Sequence, residues 1–163
     1  MKPRIEILPE KKLAGKRLTV SFVNCRTAEL WSSFMPRRKE IKNNIGSELF
    51  SVQYYRPLFF ESINPTEEFD KWATVEVSDF NNVPEGMVTL TIQSGLYAVF
   101  IYKGDGSDAE NIFTYILKNW LPASEYELDD RLHFEILGEK YKRNDPDSEE
   151  EIWIPVKKKI NQK

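Results

Sequence analysis

The alternation of hydrophobic and polar residues is clearest near the C-terminal end, in the segments Arg131–Leu137 and Glu151–Val156. Both are short, rich in branched and aromatic residues, and bounded by charged or turn residues, which predicts two β-strands. Because strand residues alternate between faces, Glu135 shares a face with His133. The opposite face, which we predict to be core, carries Leu132, Phe134 and Ile136. Glu135 should then point either to water or into a groove.

The same patterns along the chain predict one order of elements that occurs twice. Each half reads as a bent strand, a helix and two further strands, and the halves cover about residues 1–80 and 81–163. Leu30, Trp31 and Phe34 mark the first helix, and the segment 112–120 marks the second. The prediction is an α+β fold in a single domain, 1–163, with an antiparallel sheet, helices on one face and a central groove.

Composition narrows the class of protein. The chain has 163 residues, of which 40% are hydrophobic and 30% charged, as in a soluble globular domain. Its formal net charge of −3 argues against direct nucleic-acid binding. The single cysteine, Cys25, excludes a disulfide within the chain, and we expect a buried, inert thiol. We find neither a signal peptide nor the roughly 20 apolar residues of a membrane span, so we expect a cytoplasmic protein without membrane contact.

Four blocks stand out in the second half: Gly95–Phe100 followed by Lys103-Gly104, Trp120–Ser124, His133–Glu135, and Glu151–Val156. Together they resemble one known family, the GyrI-like small-molecule-binding domains, which are the effector-binding domains of AraC- and MerR-type bacterial regulators. The resemblance implies a duplicated strand-helix-strand-strand fold with a groove that takes small, often cationic and apolar molecules. It also implies that Glu135 contacts the ligand.

Two positions depart from the family pattern. Leu137 stands where the family usually has a tyrosine, and Tyr102-Lys103-Gly104 replaces the usual His-Lys-Gly. We see no helix-turn-helix segment, so we expect a stand-alone domain whose regulator or protein target is unknown.

A carboxylate in an apolar cleft requires a partner, and a cationic ligand would supply one. Aromatic walls would add cation–π attraction. The predicted ligand-binding residues are therefore Glu135, Trp31, Tyr54, Tyr97, Phe100 and Trp153. For each aromatic residue alone, ordinary core packing is the competing interpretation.

Other chemistry has less support. His133 and Glu135 could touch a metal ion, but no third ligand stands at suitable spacing, and no nucleophile or phosphate-loop motif is present. We expect no cofactor and no metal. The leading hypothesis is non-catalytic binding of a small amphipathic cation by a sensor or sequestering protein. The alternatives are a small-molecule hydrolase with Glu135 as catalytic general base, and an inhibitor of a topoisomerase-like partner.

Overall fold

A computed structural model describes residues 2–143 and 145–160, apart from the side chain of Ala109; residues 1, 144 and 161–163 of the predicted repeats lie outside this part. The first half contains β1 (Arg4–Leu8), β2 (Lys11–Val20), α1 (Thr27–Phe34), β3 (Asn44–Tyr54) and β4 (Phe69–Val77). The second half contains β5 (Val88–Ile92), β6 (Gly95–Lys103), α2 (Ala109–Tyr115), β7 (Tyr126–Leu128), β8 (His133–Leu137) and β9 (Glu149–Lys158).

The helices extend beyond these limits in irregular turns. A 3-10 segment, Met35–Glu40, follows α1, and Pro36 in its first turn cannot donate to an α-helical hydrogen bond. After α2, a π-helical turn (Ile116–Trp120) leads into a final turn (Leu121–Ala123). The regular α-helix therefore ends just before Pro36.

All paired strands are antiparallel, and their order is β1-β6-β9-β8-β3-β4-β2-β5, with β7 added beside β9. Exchanging β1, β2, β3 and β4 with β5, β6, β8 and β9 gives the same order in reverse. The two halves meet at the pairing of β3 with β8, where Ser51 lies opposite Glu135. The midpoint of the sheet is therefore formed by one strand from each half.

The sheet curls because β1 and β2 each pair with a strand of the other half, β1 with β6 and β2 with β5. Gly15 permits close packing inside this curl, since a Cβ at that position would lie 2.0 Å from the carbonyl oxygen of Ala73. The curl encloses the largest aromatic core, which includes Phe50, Trp72, Tyr97, Phe134 and Trp153. This inner face of the sheet is the main hydrophobic core.

The outer face of the sheet carries the helices over two further apolar clusters. Leu30 and Phe34 of α1 pack with Ala73 and Val75 of β4. In the second half, Ile116 packs with apolar residues of β6 and β9, among them Phe100, Ile152 and Ile154. The predicted α+β class, with an antiparallel sheet and helices on one face, is confirmed. None of the helices in the described ranges is long and apolar enough to cross a membrane.

Candidate functional site

The centre of the outer face, between the two helix-covered clusters, is polar. On β3, Ser51 and Gln53 alternate with core residues Phe50 and Val52, and on β8 His133 and Glu135 alternate with Phe134. Register places Ser51 opposite Glu135 and Gln53 opposite His133. We call these four residues, Ser51, Gln53, His133 and Glu135, the polar strip.

The strip is polar because its two strands lie between the helices and not beneath them. Beside Glu135, the next strand presents Ile152 to the helix-covered cluster of the second half. Beside Ser51, β4 presents Ala73 to the cluster under α1. Apolar side chains thus border the strip beside Ser51 and Glu135, as expected for the floor of a groove, while Lys71 of β4 lies beside Gln53.

Glu135 is half-buried and has one hydrogen bond in the described part of the chain. The side-chain amide of Gln53 donates to Glu135 Oε1 at 3.3 Å and to the hydroxyl oxygen of Ser51 at 3.3 Å. Burial raises the pKa of Glu135 to about 7, with Lys71 opposing the rise and Glu150 adding to it. Burial therefore favours the protonated carboxyl group, and a nearby cation would shift it toward the carboxylate.

His133 is the more deeply buried member of the strip, with 5% of its surface exposed. Burial, with a smaller contribution from the charge of Arg131, lowers the pKa of His133 to about 3. The imidazole is therefore neutral at physiological pH and offers one donor and one acceptor. Its first-half neighbour Gln53 is 3% exposed, so this end of the strip is well covered.

Aromatic rings cover the His133 end of the strip. The Tyr55 ring stands perpendicular to the imidazole, with 5.0 Å between centroids, and the Phe60 centroid lies 6.1 Å from it. Phe59 and Phe69 pack on Tyr55 at 5.1 and 4.9 Å. We call Tyr55, Phe59, Phe60 and Phe69 the aromatic end of the strip.

Three of the predicted wall residues lie on the wrong face for contact with Glu135. Tyr97 and Trp153 belong to the core inside the curl, and Tyr54 packs against it. The reason is register: Glu135 pairs with Ile152, so the next residue, Trp153, must point to the opposite face. The expectation that Tyr54, Tyr97 and Trp153 line one pocket with Glu135 is therefore corrected.

Phe100 and Trp31 lie on the correct face but away from the strip. Phe100 is fully buried beneath the second helical segment, with its ring edge-to-face against Trp120 at 5.3 Å. Trp31 is half-buried on α1 and packs edge-to-face on Phe34 at 6.1 Å. Of the six predicted residues, the structure places Glu135 in the strip, and Trp31 packs in the cluster under α1.

Sequence reasoning missed Ser51, Gln53 and Tyr55. The alternation in Ser51-Val52-Gln53-Tyr54-Tyr55 indicates them, because Ser51 and Gln53 are two residues apart and must share one face of the strand. Tyr54 and Tyr55 are the same residue type, and only their parity separates them: Tyr54 packs against the inner core, whereas Tyr55 contacts His133.

Cys25 also differs from the prediction, because its side chain is exposed. Its sulfur lies 3.2 Å from the hydroxyl oxygen of Thr27, and this hydrogen bond is the main reason that the pKa of the thiol is lowered.

A concave feature lies beyond the strip, where β8 and β9 enter the loop between them. This cavity has a volume of about 520 Å³, and half of its lining residues are glutamates: Glu48, Glu139, Glu149, Glu150 and Glu151. In the described ranges no group of three histidine, cysteine or acidic side chains is arranged to hold a metal ion.

Comparison with known proteins agrees with this fold. The model of the GyrI-like small molecule binding domain matches residues 1–157, so the chain belongs to that family. The transcriptional regulator BrlR of Pseudomonas aeruginosa strain PAO1 is 29% identical over 157 residues. That alignment covers 96% of this chain and 56% of BrlR, so the chain spans little more than half of that relative. The family resemblance drawn from the sequence is confirmed.

Two solved structures share the architecture. SAV2435 bound to tetraphenylphosphonium has a TM-score of 0.65 and 16% identity, with 96% of this chain and 94% of that chain covered. EcmrR in a complex with DNA has a TM-score of 0.72 and 17% identity, with coverage of 97% and 58%. At such identities the similarity establishes the shared fold.

Proposed function

We propose that this GyrI-like domain binds small amphipathic cations in the groove above the polar strip, with Glu135 as the counter-charge. The observation that carries the proposal is a half-buried carboxyl group at the centre of the sheet whose pKa is raised by burial to about 7. Among the described residues Glu135 has no ion-pair partner. A bound cation would provide that partner and offset the desolvation of the carboxylate.

The surroundings of Glu135 favour a ligand that is both charged and apolar. Apolar side chains border the strip beside Glu135. The aromatic end supplies rings beside His133, with 5.0 Å between the centroids of the Tyr55 ring and the imidazole. Each ring that a cation contacts contributes on the order of 0.5–2 kcal/mol. A small inorganic cation would gain the charge interaction without the apolar contacts.

The relatives support the same ligand class. SAV2435 is bound to tetraphenylphosphonium, a lipophilic cation, and BrlR is a transcriptional regulator. By analogy, this domain serves as a sensor or a sequestering protein for such compounds. DNA contact in a regulator of this kind belongs to other segments of the chain.

A pair of probes with the same shape and opposite charge tests the proposal. Isothermal titration calorimetry with tetraphenylphosphonium and tetraphenylborate compares the wild type with Glu135→Gln. We expect the wild type to bind the phosphonium and to reject the borate. Glu135→Gln should weaken phosphonium binding by about tenfold, equivalent to about 1.4 kcal/mol.

The matched control is Glu76→Gln, another half-buried strand glutamate that lies on the inner-face parity of β4 and pairs with Lys11. It should leave phosphonium affinity unchanged. Equal binding of both probes, or equal losses in the two variants, would refute the role of Glu135. Breakdown of a bound compound by wild type but not by Glu135→Gln would instead favour the hydrolase alternative, with Glu135 as general base.

A further inference from the structure

His133 presents an unusual combination of burial and unused hydrogen-bonding capacity. It is 5% exposed, yet within the described residues its ring makes no hydrogen bond. Buried polar side chains normally have a partner, and a neutral imidazole has a donor and an acceptor to satisfy. Its contacts are instead with the rings of Tyr55 and Phe60.

The neighbours of His133 do not use the hydrogen-bond donor and acceptor of its ring. Gln53 lies directly opposite on β3, but its amide donates to Ser51 and Glu135. In the described ranges, the one side-chain nitrogen or oxygen that is both sealed from solvent and unpartnered is Nη1 of Arg131. The unpaired ring nitrogens of His133 are therefore not sealed, and the small exposed part of this residue includes them.

His133 and Glu135 are two residues apart on one strand and lie on the same face. That spacing separates their positions by about 6–7 Å along the strand. One end of the strip therefore offers a carboxylate, and the other offers a neutral hydrogen-bonding group beneath aromatic rings.

We infer that His133 is a second polar anchor for the ligand, so that the groove favours amphipathic cations with a hydroxyl or carbonyl group about 6–7 Å from the positive centre. This inference rests on the proposed function and specifies its ligand class. A cation that is apolar throughout would leave the imidazole unpaired when it excludes water from the strip. A ligand with the second polar group pairs with both Glu135 and His133. The groove therefore discriminates between the two kinds of ligand by the cost of leaving the imidazole without a hydrogen bond.

Two phosphonium compounds of equal size test the inference. (4-Hydroxybutyl)triphenylphosphonium and pentyltriphenylphosphonium differ in a terminal hydroxyl against a terminal methyl group. Calorimetry on the untagged wild type should show about fivefold tighter binding of the hydroxyl compound. His133→Leu should abolish or reverse this preference, whereas His133→Gln, which keeps a donor and an acceptor, should retain part of it.

Glu135→Gln separates this inference from the proposed function. It should weaken both compounds by the same factor and leave their ratio unchanged. Failure of both compounds to bind wild type would overturn the proposed function and the inference together. Binding of both with equal affinity to wild type would overturn the inference alone.

A spectroscopic readout requires no variant. The chain has one histidine, so its imidazole nitrogen resonances belong to His133. The hydroxyl compound should shift one ring nitrogen in the direction of hydrogen-bond formation, and the pentyl compound should not. Identical shifts with the two compounds would contradict a hydrogen bond from ligand to His133.

Discussion

The two faces of β8 perform different tasks with adjacent residues. On the inner face Phe134 is fully buried, stacked 5.3 Å from the Trp153 ring and 5.9 Å from Phe50. On the outer face the half-buried side chain of Glu135 accepts one hydrogen bond among the described residues, from Gln53. The comparison teaches that the inner face holds the strand in place. The outer face can therefore carry groups that stability alone would not select.

The largest effect should come from removing the inner-face anchor. Phe134→Ala deletes a ring at the centre of the aromatic core and leaves a cavity, so the free energy of unfolding should fall by about 3–5 kcal/mol. Chemical denaturation measures this loss. If the loss were under about 1 kcal/mol, the inner face would not be the face that holds β8.

The next largest effect is an increase in the free energy of unfolding, caused by removing the charge of Glu135. The pKa of Glu135 is about 7 in the folded protein and 4.5 for an unperturbed glutamate, so the folded state binds the proton more tightly. This contribution to stability is fully present below the unfolded pKa and is lost as pH rises through about 7. Glu135→Gln removes the titration, and at about pH 8 it should stabilise the protein by on the order of 2–3 kcal/mol.

Thermal unfolding across pH measures this gain. The advantage of Glu135→Gln should shrink toward zero at about pH 4, where the wild-type carboxyl is protonated in both states. Glu76→Gln, which removes one partner of an ion pair on the other face, should give no such gain. A constant difference between wild type and Glu135→Gln at all pH values would show that Glu135 does not titrate as described.

The smallest effect distinguishes two aromatic residues close in the chain. Phe60→Leu removes a ring from the aromatic end and should weaken phosphonium binding two- to fivefold, for a cation–π loss on the order of 0.5–1 kcal/mol. Tyr54→Leu removes a ring on the opposite face, together with its hydrogen bond to Asp130 at 3.0 Å. It should reduce stability and leave affinity unchanged. Calorimetry measures the affinity of both variants. A larger loss of affinity for Tyr54→Leu than for Phe60→Leu would favour Tyr54 as a ligand-binding residue, as first predicted from the sequence.

The sequence predicted those parts of the fold that depend on local alternation. The parity of Arg131–Leu137 placed Phe134 in the core and Glu135 on the other face, and the structure confirms this. Most of the order of strands and helices followed from the same periodicities, because amphipathic elements must bury their apolar sides. The structure differs in dividing each predicted bent strand into two strands and in adding β7.

The site was predicted less well because it depends on register between strands distant in sequence. Whether Trp153 or Ile152 lies beside Glu135 is decided by the pairing of β8 with β9, and a shift of one residue exchanges the faces. No local pattern fixes that pairing. The contact of Tyr55 and Phe60 with His133 depends on an irregular segment between β3 and β4, whose path periodicity cannot predict.

The most direct test of the account is the affinity for tetraphenylphosphonium as a function of pH, in wild type and Glu135→Gln. Lys71, Glu150 and His133 also lie near the carboxyl group, and the variant retains all three. Wild-type affinity should rise by about tenfold in total as pH rises through about 7 and then level off, while that of Glu135→Gln stays nearly flat. Parallel curves for the two proteins would contradict the claim that Glu135 is the counter-charge of the bound cation.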